Sequence, residues 1–304
     1  MAGAVILMTT VYVFQSATPL TGVGTSDTPL LWFPDTGVKT AILYAERLYN
    51  KPNKYLINQL NVCLSGTPVD YVFFVLSAAH HTEQRTIIRR TWVEEALRCS
   101  RNRVLFIFGK PSTAELQSAL EFESRQYGDI VQGDFWDTYR NLSLKVVMML
   151  RWALDHCPQA RFLVKMDDDS FPNLSNIYRV MYGQTEDSIY GEIRRGSVVN
   201  RNRNSKWYVS YEEYPRDVAP DFITGGMYVI GGRAVDLLYR ATGHVKPFVM
   251  EDMFLTGMCA ERAGVARTHL FGAFDPKVSS LCDYKAATYV HHVTPALVND
   301  LFTP

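Results

Sequence analysis

Four apolar runs stand out along the chain: Val69–Leu76, Val104–Phe108, Arg161–Met166 and Met227–Ile230. The first two carry β-branched and aromatic residues at both odd and even positions. That predicts strands buried on both faces, as in a parallel sheet. Between the runs the period changes. Residues 82 to 98 predict a helix, and Thr113 to Tyr127 predict another that stops at Gly128. Tyr139 to His156 place Leu142, Val146, Met149 and Ala153 on one stripe, and Pro158 bars any continuation. Further helices are expected over Arg233–Arg240 and over Glu251–Ala263, the latter closed by Gly264. Polar residues 183 to 206 read as a mobile loop, and no internal repeat is visible. Strands alternating with helices predict an α/β fold with a mainly parallel central sheet. Ligands bind such sheets beyond the carboxyl ends of the strands, where Asp167-Asp168-Asp169 follow the third run directly.

Composition narrows the functional classes. The chain has 304 residues, 47% of them apolar, enough to bury one elaborated domain. Lys+Arg and Asp+Glu both total 31, so the net charge is zero. That excludes a whole-chain field for nucleic acid or anionic membrane, and any anion site must be local. The N-terminus is apolar from Val5 to Phe14 with no Lys or Arg before Lys39. Ten residues are fewer than the roughly 20 a spanning helix needs. Residues 1–17 are read as a shortened membrane anchor or signal segment, with a strand or leader as the alternative. Residues 18–62, rich in Pro and Gly, read as a stem with a short helix over Ala41–Tyr49, and 63–304 as the folded domain. Five cysteines form no CxxC pair, so zinc-finger spacing is absent. The sequons at Asn141 and Asn173 are glycosylation acceptors if the chain enters the secretory pathway, where disulfides are also expected.

Several residues have chemistry to offer. Three adjacent carboxylates after a buried strand repel one another unless a cation lies among them. Hard divalent cations take such oxygens and also bind diphosphate; a solvated acidic turn or helix cap is the alternative. Glu251-Asp252 open a predicted helix, which the helix dipole alone explains, although either carboxylate suits a general base. His291 and His292 are adjacent on a predicted extended segment, so their side chains should point to opposite faces and only one can serve a given site. Arg85 and Arg89 share a helix face and are equally suited to phosphate or to pairing with Glu94 or Glu95. Trp207 and Tyr208 suit sugar stacking or core packing.

Taken in order, these pieces resemble one known family. The blocks are Arg85-Thr86-Ile87-Ile88-Arg89-Arg90-Thr91-Trp92; Asp134-Phe135 with Asp137, Tyr139, Asn141-Leu142 and Lys145; and Lys165-Met166-Asp167-Asp168-Asp169. Lys206-Trp207-Tyr208, Glu251-Asp252-Met253-Phe254 with Gly257 and Cys259, and Val290-His291 complete the set. Over residues 63 to 301 the chain resembles the β-1,3-galactosyltransferase and β-1,3-N-acetylglucosaminyltransferase family, glycosyltransferase family 31, with Fringe as a distant relative. The resemblance implies a GT-A type nucleotide-sugar-binding fold and inverting transfer from a UDP-sugar donor to a glycan acceptor on glycoprotein or glycolipid. It also implies Mn²⁺ and a single-pass type II anchor in the Golgi membrane, with no nucleic acid involved. Asp169 and His291 are then the metal ligands, Asp252 the catalytic base and Glu251 the lesser candidate. Asp167, Asp168, Arg85, Arg89 and Lys145 are placed at the donor. One departure is Phe222-Ile223-Thr224, where many galactosyltransferase relatives carry a cysteine before the Gly-Gly pair, which leaves disulfide pairing open.

Overall fold

The computed structural model describes residues 55–64, 66–270, 281–294 and 296–298, so the segment read as an anchor or signal, most of the one read as a stem, and the helix expected over 41–49 lie outside the described residues. The apolar runs assemble side by side. β2 (Val69–Leu76) lies between β3 (Asn102–Lys110) and β5 (Ala160–Asp167), parallel to both. β4 (Ile130–Trp136) continues the sheet parallel to β3, and β1 (Tyr55–Ile57), from the segment read as stem, closes that edge antiparallel. Beyond β5 the direction reverses. β8 (Phe222–Gly231) runs antiparallel to β5, β7 (Ser188–Arg194) antiparallel to β8, and β9 (Ala266–His269) parallel to β7. The sheet order is β1-β4-β3-β2-β5-β8-β7-β9, a mainly parallel α/β sheet as expected.

Both faces of β2 are covered, which explains its unbroken apolar run. Val72, Phe74 and Leu76 face one core with α4 (Leu142–His156), while Phe73 and Val75 face a second core with Ile87, Ile88 and Trp92. The predicted helix from Thr82 is interrupted: α1 (Thr82–Ile88) and α2 (Glu94–Leu97) are joined by a π-type stretch, with Thr91 outside helical dihedrals. The Thr91 hydroxyl donates to Ile87 O at 2.6 Å, back-bonding of the kind that bends helices. α3 (Ala114–Tyr127) begins at Thr113, whose side chain accepts from Leu116 N, and ends at Gly128 in the left-handed region. A disulfide between Cys63 and Cys157 ties the segment after β1 to the end of α4.

The mobile loop expected over residues 183 to 206 is corrected by β7. Ile189 and Tyr190 are buried in it, and at Gly191 a Cβ would stand 2.3 Å from Ile223 Cγ2. Gly191 is there because β8 passes too close for a side chain. Residues 195 to 206 are irregular but strapped, with Arg201 donating to the carbonyls of Val209, Tyr214 and Arg216.

Candidate active site

The strand order sets the place. From β2 the chain proceeds outward to β3 and β4, then returns to β5 on the other side of β2. Between β2 and β5 lies the topological switch at which open α/β sheets bind ligands. Leu76 and Asp167 pair at the carboxyl end of that junction, and a cleft of about 590 Å³ opens there. Its walls include the loop after β2 at Ser77 to His81, the three aspartates, Gly225-Gly226 of β8, Glu251-Asp252, and His291-His292.

The three aspartates separate at once. Asp167 receives Lys165 Nζ at 2.9 Å, Asp168 Oδ2 lies 2.8 Å from His81 Nδ1, and Asp169 meets both histidines. The histidines reach Asp169 because β10 (Tyr289–Val290) pairs antiparallel with β6 (Phe171–Pro172), and Val293 N donates to Asp169 O at 2.9 Å. His291 Nε2 is 3.1 Å and His292 Nδ1 3.3 Å from Asp169 oxygens. The expected divergence of the two side chains is overturned. His292 has φ of 59°, which breaks the strand alternation and stacks the two rings 3.9 Å apart. Gly226 leaves room for them, since a Cβ there would come within 2.9 Å of His291 Nδ1.

Asp169, His291 and His292 thus present ligand atoms within 4.8 Å of one another. One carboxylate with two imidazoles fits a divalent transition-metal cation. Burial raises the Asp169 carboxyl, but the two histidines outweigh that and hold it down at about 2, so it is ionised and ready to ligate.

Elsewhere in the cleft lining, Asp252 accepts from Met253 N at 2.8 Å through Oδ1 and from Gly225 N at 3.1 Å through Oδ2. Its side chain stays partly open to the cleft, and burial raises its pKa above the usual range. Neighbouring Glu251 is only 5% exposed, and its two oxygens accept from Lys165 Nζ and Tyr228 OH. Burial lifts its carboxyl to about 7 against the pull of Lys165. Both are candidates for the base and each accepts one hydrogen bond on each oxygen, but Glu251 is buried whereas Asp252 is partly exposed to a substrate.

The basic residues placed at the donor are located differently. Arg85 is fully buried: it forks onto Glu123 at 2.7 Å on both arms and donates to Ser77 Oγ, Ala78 O and Ala79 O. Arg89 pairs with Glu123 and Asp129, not with Glu94 or Glu95, and its guanidinium lies 3.9 Å from the Tyr127 ring. Neither lines the cleft, so the donor contact expected of them is corrected; Arg85 holds the loop that does line it. Lys145 reaches the cleft but is engaged by Asp137 Oδ1 at 2.8 Å and Ser77 O at 2.6 Å. Asn173 caps α5 (Leu174–Met181) through Asn176 N and donates to Tyr284 O, so its amide is already engaged by the fold. Asn141 donates to Trp136 O at 2.8 Å at the entry to α4. Trp207, half exposed, and Lys206 line the rim.

His292, His81, Lys165 and Tyr228 are the residues that sequence reasoning passed over. His292 carries a sequence signal in its adjacency to His291, against which strand geometry argues, and Lys165 stands in the block that leads into the aspartates; His81 and Tyr228 carry none.

Comparison with known proteins gives these likenesses a scale. The family model described as Galactosyltransferase matches residues 83–271. A human lactosylceramide 1,3-N-acetyl-β-D-glucosaminyltransferase is 35% identical over 230 residues, covering 72% of this chain and 61% of that protein. A human acetylgalactosaminyl-O-glycosyl-glycoprotein β-1,3-N-acetylglucosaminyltransferase is 34% identical over 256 residues, with coverage of 77% and 65%. Mouse β-1,3-galactosyltransferase 1 is 30% identical over 249 residues, with coverage of 80% and 75%. The chain spans less than two thirds of the length of the two human proteins. Among solved structures, a glycosyltransferase involved in glycosylation of the major capsid of PBCV-1 aligns over 76% of this chain and 98% of that one. It is 11% identical, with a TM-score of 0.39.

Proposed function

Because the chain belongs to the galactosyltransferase family, we propose that it is an inverting hexosyltransferase. It passes galactose from UDP-galactose to the 3-hydroxyl of an acceptor glycan on glycoprotein or glycolipid. The observation that carries the reading is one cleft lined both by a partly exposed, hydrogen-bonded Asp252 and by Asp169, His291 and His292. Asp169, His291 and His292 would hold a divalent cation, Mn²⁺ in this reading, which supplies neutralisation of the charge on departing UDP. Asp252 takes the proton of the acceptor hydroxyl as its oxygen attacks the anomeric carbon; the bond to phosphate breaks, and an α-linked donor yields a β-linked product. The two main-chain N–H groups on Asp252 fix its carboxylate plane in advance of reaction. Trp207 offers a flat face at the rim for a sugar ring.

A second donor has its own support: the two human relatives described above are named N-acetylglucosaminyltransferases, so UDP-N-acetylglucosamine is the alternative sugar. A metal-dependent glycan-binding module needs no base, and the poised Asp252 argues against it. The reading extends to the Golgi lumen, with type II anchoring through the N-terminal segment. The Cys63–Cys157 bridge supports an oxidising compartment. No helix of the described residues is long and apolar enough to cross a membrane.

The test is UDP release from UDP-galactose, UDP-N-acetylglucosamine and UDP-N-acetylgalactosamine, each with a panel of glycan acceptors, with Mn²⁺ or with EDTA. Acceptor-stimulated, EDTA-sensitive release from one donor is expected. Folded protein that binds no UDP would overturn the reading.

A further inference from the structure

Lys165 is 1% exposed and lies inside the protein between the two acidic clusters. Its Nζ donates to Asp167 Oδ1 at 2.9 Å, Gly225 O at 2.6 Å and Glu251 Oε2 at 3.0 Å. Those are all three protons that an ammonium has. The three partners belong to three different pieces of the cleft: the end of β5, the Gly-Gly of β8, and the acidic pair Glu251-Asp252 that precedes the helical stretch Met253–Cys259. Each leads to a working group. Asp167 begins the aspartate turn. Gly225 N donates to Asp252 Oδ2 at 3.1 Å, so the peptide that Lys165 holds by its oxygen neighbours the one that orients the base. Glu251 precedes Asp252 and is locked from its other side by Tyr228 OH.

A buried ion pair is weak evidence of stabilisation, because desolvation cancels much of the attraction. A buried ammonium shared by two carboxylates and a carbonyl is therefore better explained by the geometry it enforces. We infer that Lys165 is the positioning residue of the reaction, a strap that sets the distance between the donor side of the cleft and the base at Asp252. Lys165 touches no substrate itself; it acts through Asp167 and through the Gly225 peptide. The inference rests on the transferase reading above.

The experiment compares Lys165→Met, Glu251→Gln and the double variant Lys165→Met/Glu251→Gln, all in the full chain. Thermal melting, Mn²⁺-dependent UDP affinity, and kcat and KM for donor and acceptor are measured on each. Lys165→Met leaves Glu251 buried without its cation and should melt lowest. The double variant removes both charges and should recover most of that loss, yet its kcat should stay about 100-fold below wild type, the scale of an ångström-sized misplacement. UDP affinity should fall about tenfold in both Lys165 variants, because Asp167 is released, and little in Glu251→Gln, where Lys165 still holds Asp167 and Gly225. A double variant that melts like wild type and also transfers within threefold of it overturns the strap and leaves Lys165 a mere charge partner. Wild-type protein that binds UDP but transfers from no donor sinks the transferase reading instead. The UDP affinities of the folded variants then still decide whether Lys165 positions Asp167.

Discussion

Asp169 and Asp252 both line one cleft, and their surroundings pull them in opposite directions. Asp169 meets two histidines within 3.3 Å and is held ionised down to about pH 2. Asp252 accepts from two main-chain N–H groups and, among the described residues, pairs with no cation, and burial raises its pKa. The difference teaches how one residue type takes two roles: a carboxyl kept permanently charged suits a cation, and one kept basic suits a proton. Lys165 stands between the two without touching either.

The largest effect should come from removing the proton acceptor while keeping its shape. Asp252→Asn is expected to lower kcat about 10³-fold, within the range for loss of a general base, with Mn²⁺-dependent UDP affinity nearly unchanged. Asp169→Asn should do the reverse, weakening UDP affinity and its EDTA sensitivity as well as transfer. Single-turnover rates alongside UDP titrations separate the two. If both variants lost UDP binding equally, the division of labour between the two aspartates would fail.

Arg85→Ala should show that the arginine block is structural. Breaking its buried pair with Glu123, which still keeps Arg89, is expected to cost about 3 kcal/mol in chemical unfolding, the low end for a broken buried pair. Arg89→Ala should cost less, because its guanidinium is not fully buried. A well-folded Arg85→Ala protein with normal stability and lost UDP binding would restore Arg85 to the donor.

Gly226→Ala comes next. The added Cβ would stand 2.9 Å from His291 Nδ1, so the ring or the β8 backbone must shift, at about 1–3 kcal/mol for an overpacked site. Gly225→Ala adds a methyl at an ordinary 3.5 Å from Asp252 and Glu251. The first should impair Mn²⁺ dependence and the second should not, which places the histidine pair at the cation's site.

How much of this was legible in the sequence follows from physical range. Of the parallel strands, β2, β3 and β5 are readable because burial on both faces writes an apolar run into each; β4 is not, because Gln132, Gly133 and Asp134 interrupt its run. β7 is not, because only its centre is buried and Gly191 is demanded by Ile223 of β8, far along the chain. The aspartates were visible as a strand-end cluster. The roles of Arg85 and Lys165 were not, since Glu123 and Glu251 meet them only after the sheet has formed. His292 was misjudged because alternation assumes extended backbone, and its φ of 59° departs from it.

The smallest effect is a slope, and it tests the contrast between charged and basic carboxyls away from any substrate. Glu251 shares the environment of the base and is lifted to about 7 from an ordinary 4.5. Between those values the folded protein keeps a proton that the unfolded chain has released. Folding therefore takes up a proton, and stability falls as pH rises through that window. The protonated group's contribution is complete below about 4.5 and gone once the pH passes about 7. Asp169 has the opposite sign: its stabilisation is present above the ordinary 3.8 and is lost as pH falls towards about 2. Melting temperature measured from pH 4.5 to 7.5 should therefore decline less steeply in Glu251→Gln than in wild type, because the substituted amide has no proton to lose. An identical slope in the two proteins would mean that Lys165 holds Glu251 ionised throughout. The two sets of carboxyls would then differ in their partners alone and not in their affinity for protons.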